Sequence, residues 1–165
     1  MGFSRRQRAR WRRRAIPRGF TLAELSIVTL IISLLATVAV PRYMTALRHY
    51  QARAAASRVK LDLELTRQAA RKASAARSLV FDLATHSYSI ASVKGLDHPG
   101  ASTYVVNLKQ APRNATLTSV DCGGDTTLVF DGFGKPDSAA TIVVSSAGIA
   151  KTVTVDSATG RVNIQ

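Results

Sequence analysis

The chain has little of what most enzymes need. It has one cysteine, Cys122, and three histidines, His49, His86 and His98, with no spacing that would gather them around a metal. A single cysteine makes no internal disulfide and reads as a buried, idle thiol. Serine and threonine are plentiful, yet no nucleophile elbow and no phosphate-binding loop is present. The chain therefore reads as a non-enzyme with no cofactor and no metal. Asp121, Asp125 and Asp131 are the only candidates for cation ligands, but Gly-rich turns surround them, and Asp in such places forms turns. Aromatics make up 6% of residues, and none interleave with basic residues in a pattern that would stack bases. Acids are scarce too: ten Asp plus Glu face twenty-three Lys plus Arg, a formal charge of +13.

That charge is unevenly placed. Residues 1–19 hold eight Arg and no acid, and without them the balance is +5. Directly after this block, Leu25 to Val40 is a sixteen-residue run with no charge. At about 1.5 Å per residue it covers roughly 24 Å of a hydrocarbon core of about 30 Å; starting at Phe20 it covers roughly 31 Å. The longer span encloses Glu24, at a cost on the order of 3 kcal/mol. Twelve Phe, Leu, Ile and Val residues from Phe20 to Val40 supply roughly 4–7 kcal/mol against it. The segment inserts and takes an acid with it, and an acid so placed marks a functional site. Basic flanks stay cytoplasmic, so the N-terminus is expected inside and the C-terminal part across the membrane. Thr29, Ser33 and Thr37 form a polar stripe, either for helix packing or for bonding to their own backbone.

Gly19-Phe20-Thr21-Leu22-Ala23-Glu24 behind a basic leader and ahead of an apolar helix resembles the type IV prepilin signal. The resemblance implies cleavage between Gly19 and Phe20 by an aspartic prepilin peptidase, N-methylation of Phe20, and an assembly role for Glu24. Its carboxylate would pair with the Phe20 amine of a neighbouring pilin or pseudopilin subunit. Pro41 also falls where pilin-like proteins commonly carry a proline. It removes one backbone bond and is expected to kink or end the helix.

Four segments are expected: a leader over 1–19, a transmembrane and filament-core helix over 20–40, an amphipathic helix over 41–77, and a periplasmic β domain over 78–165. In the second helix, Ala52, Ala56, Val59, Leu63, Thr66, Ala70 and Ala73 recur at steps of four and three, which makes a narrow packing stripe. No Gly or Pro interrupts Arg42 to Arg77, and the segment carries +7. That face reads as solvated or paired with acids of neighbouring subunits, with DNA or lipid headgroups as alternatives. Beyond it, eight strands are expected: Leu79–Asp82, Ser87–Ala91, Thr103–Leu108, Thr116–Val120, Thr127–Phe130, Thr141–Ser145, Thr152–Val155 and Arg161–Ile164. The fold class is α+β, a long helix packed on an antiparallel β domain.

Phe130-Asp131-Gly132-Phe133-Gly134 and Thr159-Gly160-Arg161-Val162 resemble the closing motifs of the minor pseudopilin H and FimT group (GspH/FimT). Leu63 to Ala70 keeps part of a third stretch, with Thr66 and Ala69 departing from it. The resemblance implies a minor subunit of a type II secretion pseudopilus or type IV pilus, held in the inner membrane before assembly. FimT-like members bind DNA for uptake through a Gly-Arg-x-Arg stretch. Here Asn163 replaces the second Arg, which leaves Arg161 as the one candidate DNA contact on a β segment of net charge −1. Two further alternatives are a twin-arginine signal at Ser4-Arg5-Arg6 and general signal-peptidase cleavage after Thr37-Val38-Ala39, which would release a soluble β protein.

Overall fold

The computed structural model describes residues 19–91, 93 and 103–165. The arginine-rich leader before Gly19 and His98 lie outside the described residues. One helix, α1, spans Leu22–Ala73, and eight strands follow: β1 (Arg77–Asp82), β2 (Ser87–Ala91), β3 (Thr103–Asn107), β4 (Thr116–Asp121), β5 (Thr127–Phe130), β6 (Ala140–Ser146), β7 (Ile149–Val155) and β8 (Val162–Ile164). The chain divides into two units between Val40 and Pro41.

Thr21 starts the helix. Its Oγ1 accepts the Glu24 amide at 3.1 Å, which fills one of the orphan donors of the first turn. In the first unit every residue from Gly19 to Val40 is exposed. The most apolar eighteen-residue window of α1 has mean hydropathy 2.2 and none of it is buried. The hydroxyl stripe resolves toward self-bonding. Ser33 Oγ donates to the Thr29 carbonyl at 2.7 Å and Thr37 Oγ1 to the Leu34 carbonyl at 2.7 Å. The helix does not end at Pro41, which lies inside it.

The second unit, Pro41–Gln165, holds the core: among the described residues every buried one lies between Ala52 and Val162. Two four-stranded antiparallel sheets, ordered β3-β2-β1-β5 (sheet A) and β4-β6-β7-β8 (sheet B), contribute to it. Inward positions alternate on strands such as β1, with Leu79 and Phe81, and β6, with Ile142 and Val144, while a bulge between Leu117 and Ser119 interrupts β4. These side chains join Ala55, Ala56, Val59, Leu63 and Ala70 of α1 in one cluster. The small helix residues let the sheets approach closely, and the cluster leaves neither sheet with a core of its own.

The main boundary differences from expectation are at the helix end and at β6–β7, while β1, β3, β4 and β8 differ by one or two residues at one end. The helix stops at Ala73, short of Arg77, because Ser74 takes a left-handed conformation (φ 48°). Ala75 N then donates to the Ala70 carbonyl at 3.2 Å and Ser74 N to the Arg71 carbonyl at 3.3 Å. That pattern is a Schellman cap, with serine where glycine is usual. Ala73 is consequently exposed, while Ala55 and Asp62 join the buried face. Strands β6 and β7 are longer than expected because Ala147 and Gly148, both at positive φ, join them in a two-residue turn.

Candidate functional site: the exposed N-terminal helix and a basic groove

Gly19, Phe20 and Glu24 all stand exposed at the start of α1, with Phe20 at 81%. Among the described residues, a Cβ at Gly19 would meet no atom within 4 Å. Glu24 is the third residue of the helix, where a carboxylate faces the partial positive charge of the first turn. Its backbone amide is capped by Thr21, an arrangement the Thr21-x-x-Glu24 spacing signals in advance.

The three motif stretches of the second unit converge on one side chain. Arg67 Nε donates to the Gly134 carbonyl and Nη1 to the Gly160 carbonyl, each at 3.1 Å. Both glycines have positive φ, 80° and 63°. A Cβ on Gly134 would lie 2.7 Å from Arg71 Cδ, and one on Gly160 would lie 3.0 Å from the Gly134 oxygen. Gly132 is held differently: its Cβ would come within 2.8 Å of the Ser74 backbone, at the helix cap. The Phe130–Gly134 turn and the Thr159–Val162 stretch thus fasten the sheets to the last turns of α1.

Arg161 is exposed immediately before β8 and shares a groove of about 530 Å³ with Lys60, Arg67 and Arg71 of α1. Glu64 is the one acid there, paired with Lys60 at 3.9 Å. Arg161 therefore belongs to a surface built jointly with the basic helix. The β segment from Ser78 onward cannot present that surface alone.

The aspartates serve their own turns. Asp131 Oδ1 accepts the Phe133 and Lys135 amides at 2.9 and 2.8 Å, Asp121 Oδ1 the Gly124 amide at 2.8 Å, and Asp125 Oδ1 the Thr127 amide at 2.9 Å. Asp156 works in the same way, and its bonds to the Thr159 amide and hydroxyl hold its carboxyl below the usual range. Among the described residues no three His, Cys, Asp or Glu side chains gather as metal ligands. Cys122 is 3% exposed. Burial first, then Asp125, Asp137 and Asp121, push its thiol up to about 12, so it is chemically quiet.

Sequence reasoning missed one polar cluster. Asp62, only 4% exposed, accepts Tyr88 Oη at 2.5 Å and Arg58 Nε at 3.1 Å on Oδ2. Arg58 also donates from Nη2 to the Tyr104 hydroxyl. Burial raises the Asp62 pKa against the lowering effect of these bonds. The available signal was its place among Val59, Leu63 and Thr66 on the apolar stripe, with Arg58 one turn before it.

The second unit and α1 together define an α+β pilin fold: one long helix packed on antiparallel sheets. Among solved structures, the chain is similar to the type IV minor pilin FimU of Pseudomonas aeruginosa in two crystal forms. One shows a TM-score of 0.54 at 17% identity over 71% of this chain and 90% of that one. The other shows 0.51 at 16% identity, over 68% and 91%. No family model matches the chain, and no curated protein matches it.

Proposed function

We propose that the chain is a minor pilin or pseudopilin subunit, cut after Gly19 by an aspartic prepilin peptidase, methylated on Phe20 and held in the inner membrane by Phe20–Val40. The N-terminus starts cytoplasmic and the β domain periplasmic. The subunit then enters a type IV pilus or a type II secretion pseudopilus, where its helix joins those of other subunits. The observation that carries the reading is the contrast along α1. The run Leu25 to Val40 is apolar and wholly exposed, whereas the later turns are buried against the chain's own sheets. Such a surface needs lipid or other apolar helices around it. Pro41, inside the helix, falls at the boundary between the membrane segment and the soluble unit.

Glu24 has two tasks in this reading. It favours the helix start, and in the filament it neutralises the Phe20 amine of a neighbour, since an unpaired ion of either sign is costly in an apolar surround. Glu24→Ala is expected to insert into the membrane as well as the parent and to be lost from sheared filaments. Filament content equal to the parent's would refute the pairing. A second reading, a minor pilin that binds DNA, rests on the gathering of Arg161 with Lys60 and Arg71. It predicts a gel shift by Pro41–Gln165 that weakens steeply with salt.

A further inference from the structure

Strand β8 is the last strand of sheet B and, among the described residues, is paired on one side only, with β7. Asp156 N bonds the Arg161 carbonyl at 3.0 Å, and Thr152 and Gln165 exchange both bonds, at 3.2 and 2.8 Å. Alternate residues of an antiparallel strand turn their N–H and C=O groups to opposite sides. With Thr154 opposite Asn163, the backbone groups of Val162 and Ile164 face away from β7. Neither residue makes a hydrogen bond on that side among the described residues. The Gly160 carbonyl has the same parity, and there Arg67 supplies the missing donor. The free edge therefore begins where Arg67 stops.

Space runs along this edge. The groove of about 530 Å³ has Val162 and Arg161 on one wall and Lys60 and Arg71 of α1 on the other. Next to it, a second groove of about 460 Å³ has Ile164 and Lys151 on one wall and His49 and Arg53 on the other. The edge from Arg161 to Gln165 is about 17 Å long at 3.4 Å per residue, enough to pair a short strand. Ion pairs among the described residues are Arg58–Asp62 and Lys60–Glu64, so Arg53, Arg71, Lys151 and Arg161 pair with no acid among the described residues.

We propose that this channel between α1 and the outer edge of β8 receives an extended, carboxylate-bearing segment of a neighbouring subunit by β-strand addition. The proposal rests on the assembly reading and names the partner chemistry of one of its surfaces. The edge offers donors and acceptors in alternation, which a peptide backbone satisfies on both counts. A phosphate backbone only accepts, and it would set its charge against the Val162 and Ile164 carbonyls. Basic side chains beside an edge repel ordinary strands, so entry is selective for a segment that brings acids. Side chains of an added strand alternate between the two faces of the sheet, which places one set of carboxylates toward Arg71 and Arg53.

The test uses Pro41–Gln165, which contains the entire core and omits the arginine-rich leader, so it does not depend on cleavage or membrane insertion. The probe is a fluorescent octapeptide of alternating valine and glutamate, followed by anisotropy. Binding is expected, together with slowed amide exchange at Val162 and Ile164. Arg71→Glu combined with Arg161→Glu should weaken it at least about tenfold, with the circular dichroism spectrum unchanged. A peptide of the same charge, N-methylated along its edge-facing amides, should lose a similar factor. Absence of binding, equal binding of the N-methylated peptide, or displacement by a single-stranded oligonucleotide without protection of the two amides would each overturn the proposal. The last of these would establish a general polyanion groove.

Discussion

Replacing Tyr88 by phenylalanine removes one hydroxyl from the buried cluster on α1 and leaves the ring in place. The ring packs on Phe81 with centroids 5.7 Å apart, so the change opens no sizeable cavity. What is lost is the 2.5 Å bond to Asp62 Oδ2. A hydrogen bond to a charged group contributes about 1.5–3 kcal/mol, and one to a neutral group about 0.5–1.5. The Asp62 carboxyl titrates above its ordinary 3.8 because burial opposes its charge, with the Tyr88 and Arg58 contacts only partly offsetting this. The folded state thus holds that proton to higher pH than the unfolded chain. The resulting stability is fully present below the ordinary value and is lost as pH rises through the folded one. Losing the Tyr88 donor raises the folded value further, so the deficit should be larger where Asp62 is ionised. For Pro41–Gln165 near neutral pH, a loss of about 2 kcal/mol lowers the melting temperature by roughly 6–10 °C. Below pH 3.8, where the carboxyl is mostly protonated in both states, the deficit should be smaller. Thermal melts of parent and variant at both pH values check this, and the turn aspartates common to both cancel. An equal deficit at the two pH values, or none, would refute the role given to the ionised Asp62.

Gly132→Ala drives a methyl to 2.8 Å from the Ser74 backbone; it should destabilise the domain by about 1–3 kcal/mol, read by urea unfolding. Arg67→Lys loses the fork that spans the Gly134 and Gly160 carbonyls; a loss of about 1–2 kcal/mol is expected, with faster amide exchange in both turns. Cys122, with its thiol pushed up to about 12, should resist a maleimide at neutral pH in folded protein and react fully in denaturant; prompt labelling of the folded form would contradict its burial.

Much of this fold was legible because two periods are written plainly in the chain. All eight strands form where alternating Val, Ile, Thr and Tyr predict them. The helix face follows Ala52, Ala56, Val59, Leu63, Thr66 and Ala70. What escaped depends on single backbone conformations or tertiary partners. Ser74 ends the helix in a left-handed conformation that serine seldom adopts. Asp62 is buried only because Tyr88, from a strand far along the chain, meets it there. The closing Gly motifs could be recognised from sequence, but their reason could not: it is Arg67, whose two carbonyl bonds require the folded sheets. Likewise, Arg161 joins Lys60 and Arg71 only once β8 lies beside α1. The start of α1 was the most readable part, since its unbroken apolar run is local, although the Thr21 cap on the Glu24 amide was not read in advance.

The central claim is that Phe20 becomes the first residue of an assembly subunit. Intact-mass and N-terminal peptide spectrometry of the protein recovered from membranes of its own cell tests that most directly. The account predicts a chain beginning at Phe20 with one methyl group on its amine. A chain beginning at Val40, after Thr37-Val38-Ala39, or one still carrying the arginine-rich leader as its only form, would contradict it.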